Sequence, residues 1–142
     1  MTAKLDHSTV TVNGQAAGLV TYGQQGPNHF AKTALQFKND VDPNTPGNQN
    51  GKWIERTLTT NNNLNSNYGG SFPNSGALTP PTNNLWIRAA YDGTNIITSF
   101  SYDGSTFTPF APPVPASEYG ANGVTKIGLF VKHDNTGPAT PV

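Results

Sequence analysis

The feature that most constrains this chain is that its apolar residues come in short alternating runs, and these runs end at turn-forming dipeptides. In Leu85-Trp86-Ile87-Arg88-Ala89-Ala90-Tyr91, Leu85, Ile87 and Ala89 share one side, and Trp86, Arg88 and Ala90 share the other. Asp92-Gly93 ends that run. Residues 95–102 repeat the pattern, with Ile96, Thr98 and Phe100 alternating against Ile97, Ser99 and Ser101, and Asp103-Gly104 closes it. A period of two marks a half-buried strand. Asp-Gly between two such runs marks a hairpin, because tight hairpin turns need positive φ. By the same signs, residues 9–12, 17–22, 30–38, 53–60 and 126–132 are predicted strands, and Asn13-Gly14 joins the first two as a hairpin. In the last strand Ile127, Leu129 and Val131 face one way. Residues 39–51 and 61–84 read as loops, and 107–119 as a Pro-rich irregular segment. No segment carries a capped helical period. Many short strands joined by turns predict an all-β, antiparallel two-sheet sandwich, one domain over residues 1–142.

Charge narrows the function. Charged residues make up only 11% of the chain, and eight basic residues balance eight acidic ones. No basic run offers a footprint for nucleic acid. No apolar run approaches the roughly 20 residues of a membrane-spanning helix. Residues 1–6 show no apolar core of a signal peptide. The absence of cysteine excludes disulfides and thiolate metal sites. That absence, the low charge and the Asn/Thr richness together point to an extracellular protein.

Several segments, in order, carry a likeness. They are Ala17-Gly18-Leu19-Val20-Thr21-Tyr22, Asn28-His29-Phe30-Ala31-Lys32, Leu85-Trp86-Ile87-Arg88, Tyr91-Asp92-Gly93, Ser99-Phe100-Ser101-Tyr102-Asp103-Gly104 with Phe107-Thr108-Pro109, and Lys126-Ile127-Gly128-Leu129-Phe130. Over most of its length the chain resembles the concanavalin A-like (laminin G/lectin-like) jelly-roll sandwiches. The nearest group is the accessory domains of secreted bacterial glycoside hydrolases. The resemblance implies a jelly roll, secretion and glycan binding without catalysis. Two departures stand out. Phe107 replaces a tryptophan of the family pattern, and the family continues past the Gly-Leu-Phe strand into one more strand. Residues 2–6 in turn read as the tail of a strand, so a neighbouring chain is a candidate to complete the sheet.

Catalysis is disfavoured residue by residue. A glycosidase needs two carboxylates at a set separation. The carboxylates are Asp6, Asp40, Asp42, Glu55, Asp92, Asp103, Glu118 and Asp134. Asp92 and Asp103 are explained by their turns, and only Glu55 falls in a predicted strand. His7, His29 and His133 share no metal-ligand spacing. Asp40, Asp42 and Asn44 alternate as the oxygen ligands of calcium loops do. Thr45 stands where the loop glycine belongs and no acid closes the loop, which favours a plain Asx/Pro turn. Asp134 and Asn135 are a second ion candidate.

Sugar binding needs aromatic rings against pyranose faces, with polar groups nearby for the hydroxyls. Trp86 and Arg88 alternate with core residues and so point outward, with Ser99 and Ser101 expected beside them. Trp53, Glu55, Lys32, Gln36 and Tyr22 are further candidates on neighbouring strands. Tyr68, Phe72 and Tyr119 read as loop anchors. The expectation is a non-catalytic carbohydrate-binding module. The alternative is a structural or assembly module that self-associates through an open sheet edge. In neither reading is a cofactor required, beyond the calcium option.

Overall fold

The computed structural model describes residues 1–6, 8, 10–11, 14–23, 29–38, 51–60, 63–65, 82–109 and 112–132. Ten strands follow in chain order: β1 (Thr2–Asp6), β2 (Ala16–Gly23), β3 (Phe30–Lys38), β4 (Gly51–Thr60), β5 (Asn63–Asn65), β6 (Asn84–Tyr91), β7 (Asn95–Ser101), β8 (Thr108–Pro109), β9 (Val114–Pro115) and β10 (Val124–Lys132). A 3-10 turn spans Ala116–Tyr119. Among the described residues there is no α-helix, and no helix long and apolar enough to cross a membrane.

The strands form two antiparallel sheets. The first has the order β1-β6-β7, with β8 and β9 both pairing along the far edge of β7. The second has the order β10-β2-β3-β4-β5. The core lies between them, where alternation is satisfied on both sides. Leu85, Ile87, Ala89, Ile96 and Phe100 from the first sheet meet Leu19, Ala31, Leu35, Ile54 and Leu58 from the second. Burying such side chains is worth about 1.5–3 kcal/mol each for the larger ones. The chain is therefore a two-sheet β-sandwich.

The predicted β6–β7 hairpin forms. Gly93 takes a φ of 103°, and the Asp92 carboxylate accepts backbone N–H bonds from Thr94 at 2.9 Å and Asn95 at 2.7 Å. The predicted strand over 9–12 and its hairpin at Asn13-Gly14 rest on residues 9, 12 and 13, which lie outside the described residues. One edge of β2 is taken by β3 and the other by β10. Val10 is buried in the core, and the Gln15 side chain accepts the Thr11 N–H at 2.9 Å. The strand at the N-terminus is β1, which pairs across the molecule with β6.

Close approach fixes glycine at positions 18 and 104, among others. A Cβ on Gly18 would stand 2.0 Å from the Thr33 carbonyl oxygen, so β2 and β3 meet there only through bare backbone. Gly104 combines a φ of +77° with an approach to Trp86, where a Cβ would come within 2.9 Å of Cε2.

The core also holds a polar cluster. Arg56 falls between Ile54 and Leu58 on the inward side of β4 and is buried, and its Nη1 donates to the Pro112 carbonyl. Tyr119 is fully buried and shares a 2.9 Å hydrogen bond with Thr21 Oγ1. Burial pushes the Tyr119 phenol up, and the Thr21 bond and the Arg56 charge offset this only in part.

Candidate functional site

The residues predicted to bind a ligand do not form one surface. Trp86, Arg88, Ser99 and Ser101 lie on the outer face of the first sheet, where Trp86 pairs with Ser101 and Arg88 with Ser99. Tyr22, Lys32, Gln36, Trp53 and Glu55 lie on strands of the second sheet, on the far side of the core. Alternation tells inside from outside but not which sheet, so the two groups looked alike in the sequence.

On the first sheet the outward residues hold one another. Lys4 places its ammonium 5.3 Å from the Trp86 ring centre, and the Gly104 turn lies against the indole. The Arg88 guanidinium stacks 3.4 Å from the Phe107 ring centre, and its Nε donates to Thr2 Oγ1 at 3.3 Å. Such cation–π contacts are worth roughly 0.5–2 kcal/mol. Ser99 and Ser101 are buried. Ser101 Oγ donates to the Asp103 carboxylate at 2.7 Å and accepts the Gly104 N–H at 2.9 Å. The expected ligand contact at Ser101 is thus replaced by an internal one, because the Asp103-Gly104 turn folds back over it. Asp103 also accepts the N–H groups of Ser105 and Thr106 at 2.7 and 2.8 Å. These bonds hold its carboxyl well below the usual carboxylate range, with the Thr106 bond the largest cause.

The second sheet presents ordered rows on its outer face. Lys126, Tyr22, Phe30 and Thr59 pair across one row. Gly128, Val20, Lys32 and Thr57 form the next, followed by Phe130, Gly18, Ala34 and Glu55. Lys132, Ala16, Gln36 and Trp53 form the fourth. The side chains of Gln36, Trp53 and Glu55 lie outside the described residues. Gly18, Ala16 and Ala34 make a low floor and are buried, whereas Tyr22, Phe30, Lys32 and Phe130 stand half-buried around them. The Tyr22 and Phe30 rings are 5.6 Å apart and tilted by 42°. Lys32 Nζ lies 5.9 Å from the Phe130 ring centre. Phe30 and Phe130 stand on the same face as the expected Tyr22 and Lys32, and the period of two in β3 and β10 is the sequence signal for them. Thr57, on the same face, is buried.

The remaining expectations divide. Tyr119 is a buried anchor, as expected of a loop aromatic. His29 is buried, with Nδ1 3.5 Å from the Glu118 carbonyl oxygen. Asp40, Asp42, Asn44, Tyr68, Phe72, Asp134 and Asn135 lie outside the described residues. Among the described residues no group of three or more His, Asp or Glu side chains gathers to hold a metal. No protein-family model matches the chain, and no curated protein matches it.

Proposed function

We propose that this chain is a non-catalytic carbohydrate-binding module that takes its glycan on the outer face of the β10-β2-β3-β4-β5 sheet. The observation that carries this reading is the arrangement of Tyr22, Phe30 and Phe130 around Lys32 above a floor of Gly18 and Ala34. Rings of this kind cover the apolar face of a pyranose, and Lys32 supplies a polar group for its hydroxyls. Positions 36, 53 and 55 extend the same rows with Gln, Trp and Glu. The resemblance to concanavalin A-like jelly-roll accessory domains of secreted bacterial glycoside hydrolases supports the same reading.

Binding to a panel of immobilised glycans and soluble polysaccharides tests it. Tyr22→Ala and Lys32→Ala are each expected to weaken the best ligand about tenfold, the cost of one good contact. Trp86→Phe is expected to leave affinity unchanged, because Trp86 serves the opposite face. No reducing sugar is expected to be released. Failure to retain any glycan, or equal loss in Trp86→Phe, would overturn the assignment.

A further inference from the structure

We propose that the glycan taken by the second sheet is an acidic one, a polysaccharide with carboxylate or sulfate groups along its chain. This ligand class rests on the glycan reading above and belongs to the same face.

The few charges of the chain are unevenly placed. Eight basic residues balance eight acidic ones over the whole sequence. In β3 the core takes Ala31 and Leu35, so positions 32 and 38 fall on the outer face of the second sheet. In β10, Leu129 pairs with the core residue Leu19, so positions 126 and 132 fall on that outer face as well. All four positions are lysine, half of the basic residues of the chain. Along the described strands, Glu55 is the one acid on the same face. Asp6 ends β1 on the first sheet, and Asp92 and Asp103 belong to the turns of that sheet. A chain without net charge thus presents one lysine-rich face.

The surroundings of Lys32 and Lys126 leave them for a ligand. Neither has a carboxylate partner among the described residues. Lys32 Nζ is 5.9 Å from the Phe130 ring centre, at the outer limit of a cation–π contact. Lys126 is exposed. The cations of the first sheet differ, since Arg88 stacks 3.4 Å from the Phe107 ring centre and bonds Thr2.

Spacing gives the ligand its chemistry. Lys126 and Lys32 stand two strands and one row apart, about 12 Å at ordinary strand spacing. Tyr22 lies on the strand between them, with its ring 5.6 Å from Phe30. Rings for the apolar side of a sugar are therefore flanked by ammonium groups for anionic substituents. Lysine is a hydrated point charge, whereas arginine is a planar fork that fixes one carboxylate in one pose. Lysines suit charges repeated along a polymer. A nucleic acid carries a charge on every nucleotide and is met by a large basic excess, which a chain of zero net charge lacks.

The test titrates the full chain with two matched pairs of polymers: polygalacturonate with its carboxyl-reduced form, and dextran sulfate with dextran. The acidic member of at least one pair is expected to bind about tenfold tighter than its neutral counterpart, since an exposed charge pair is worth up to about fivefold. Which pair responds tells carboxylate from sulfate. Added sodium chloride is expected to weaken the acidic ligand and leave the neutral one unchanged. Lys126→Gln should weaken the acidic ligand about threefold with an unchanged Tm, and Lys126→Arg should retain it. Equal affinity for the acidic and neutral members, with loss in Tyr22→Ala, would overturn the acidic class and leave the glycan reading standing. Retention of no polysaccharide at all would overturn both. Acidic binding that survives Tyr22→Ala unchanged, or single-stranded DNA bound as tightly as the acidic polymer, would make the face a nonspecific basic surface and overturn the proposal as well.

Discussion

The two outer faces of the sandwich carry similar residues, aromatic rings with cations beside them, but join them differently. On the first sheet a segment of the chain folds back over the strands. The Asp103-Gly104 turn covers the Trp86 edge, and Phe107 lies on the Arg88 guanidinium. On the second sheet, among the described residues, the Tyr22 ring lies tilted against Phe30, and Lys32 lies beside the Phe130 ring. An outward aromatic residue is therefore not in itself a ligand platform. What separates an anchor from a platform is whether a nearby turn has the chemistry to fold over it. A carboxylate and a glycine two and three residues after β7 supply that chemistry on the first sheet.

If this contrast is right, the two faces respond differently to substitution. Trp86→Ala should cost about 2–4 kcal/mol, since it removes a half-buried indole together with its contacts to Lys4 and the turn. Denaturant unfolding measures this. A loss under about 1 kcal/mol would make Trp86 a surface residue and erase the distinction between the faces. Gly104→Ala sharpens the same point, because it strains the positive φ and presses on the ring. It should cost about 1–2 kcal/mol and alter the near-ultraviolet dichroism of tryptophan. Normal stability in that variant would mean that the turn does not rest on Trp86.

Much of the fold was legible in the sequence, because alternation is a local signal. The strands from β2 to β4, β6, β7 and β10 follow from a period of two, and Asp92-Gly93 gives the β6–β7 hairpin. Pairing between distant strands is not local. Asn13-Gly14 has the chemistry of a hairpin turn, but the edges of β2 are taken by β3 and by β10, the latter about 100 residues away in the chain. The same limit hid the division of the candidate site. Trp86 and Tyr22 both alternate with core residues, and only long-range pairing assigns them to opposite sheets. Arg56 shows a third limit. Its spacing with Ile54 and Leu58 places it inward, but its partner is the Pro112 carbonyl, 56 residues away.

Acid offers the subtlest probe of the contrast, because the lock on the first face depends on a carboxylate. Asp103 is exposed, and hydrogen bonds from Thr106, Ser101 and Ser105 lower its pKa in the folded chain. A lowered folded pKa means the carboxylate contributes stability above its unfolded value. That contribution is lost as pH falls from there through the folded value. Asp92 is lowered in the same direction by the Asn95 and Thr94 N–H groups, so it adds to the same acid limb from the other turn. Stability should therefore begin to fall near pH 4, and the turn over Trp86 itself should loosen only well below the usual carboxylate range. In a Trp53→Phe background Trp86 is the single tryptophan, since the chain has two. Its emission should shift to the red as the turn loosens. Asp103→Asn should lower Tm at neutral pH, because a neutral amide accepts hydrogen bonds more weakly than a carboxylate. It should also flatten the acid limb without abolishing it, since Asp92 still titrates. Superimposable acid curves for Asp103→Asn and its parent would mean that the carboxylate does not hold the turn.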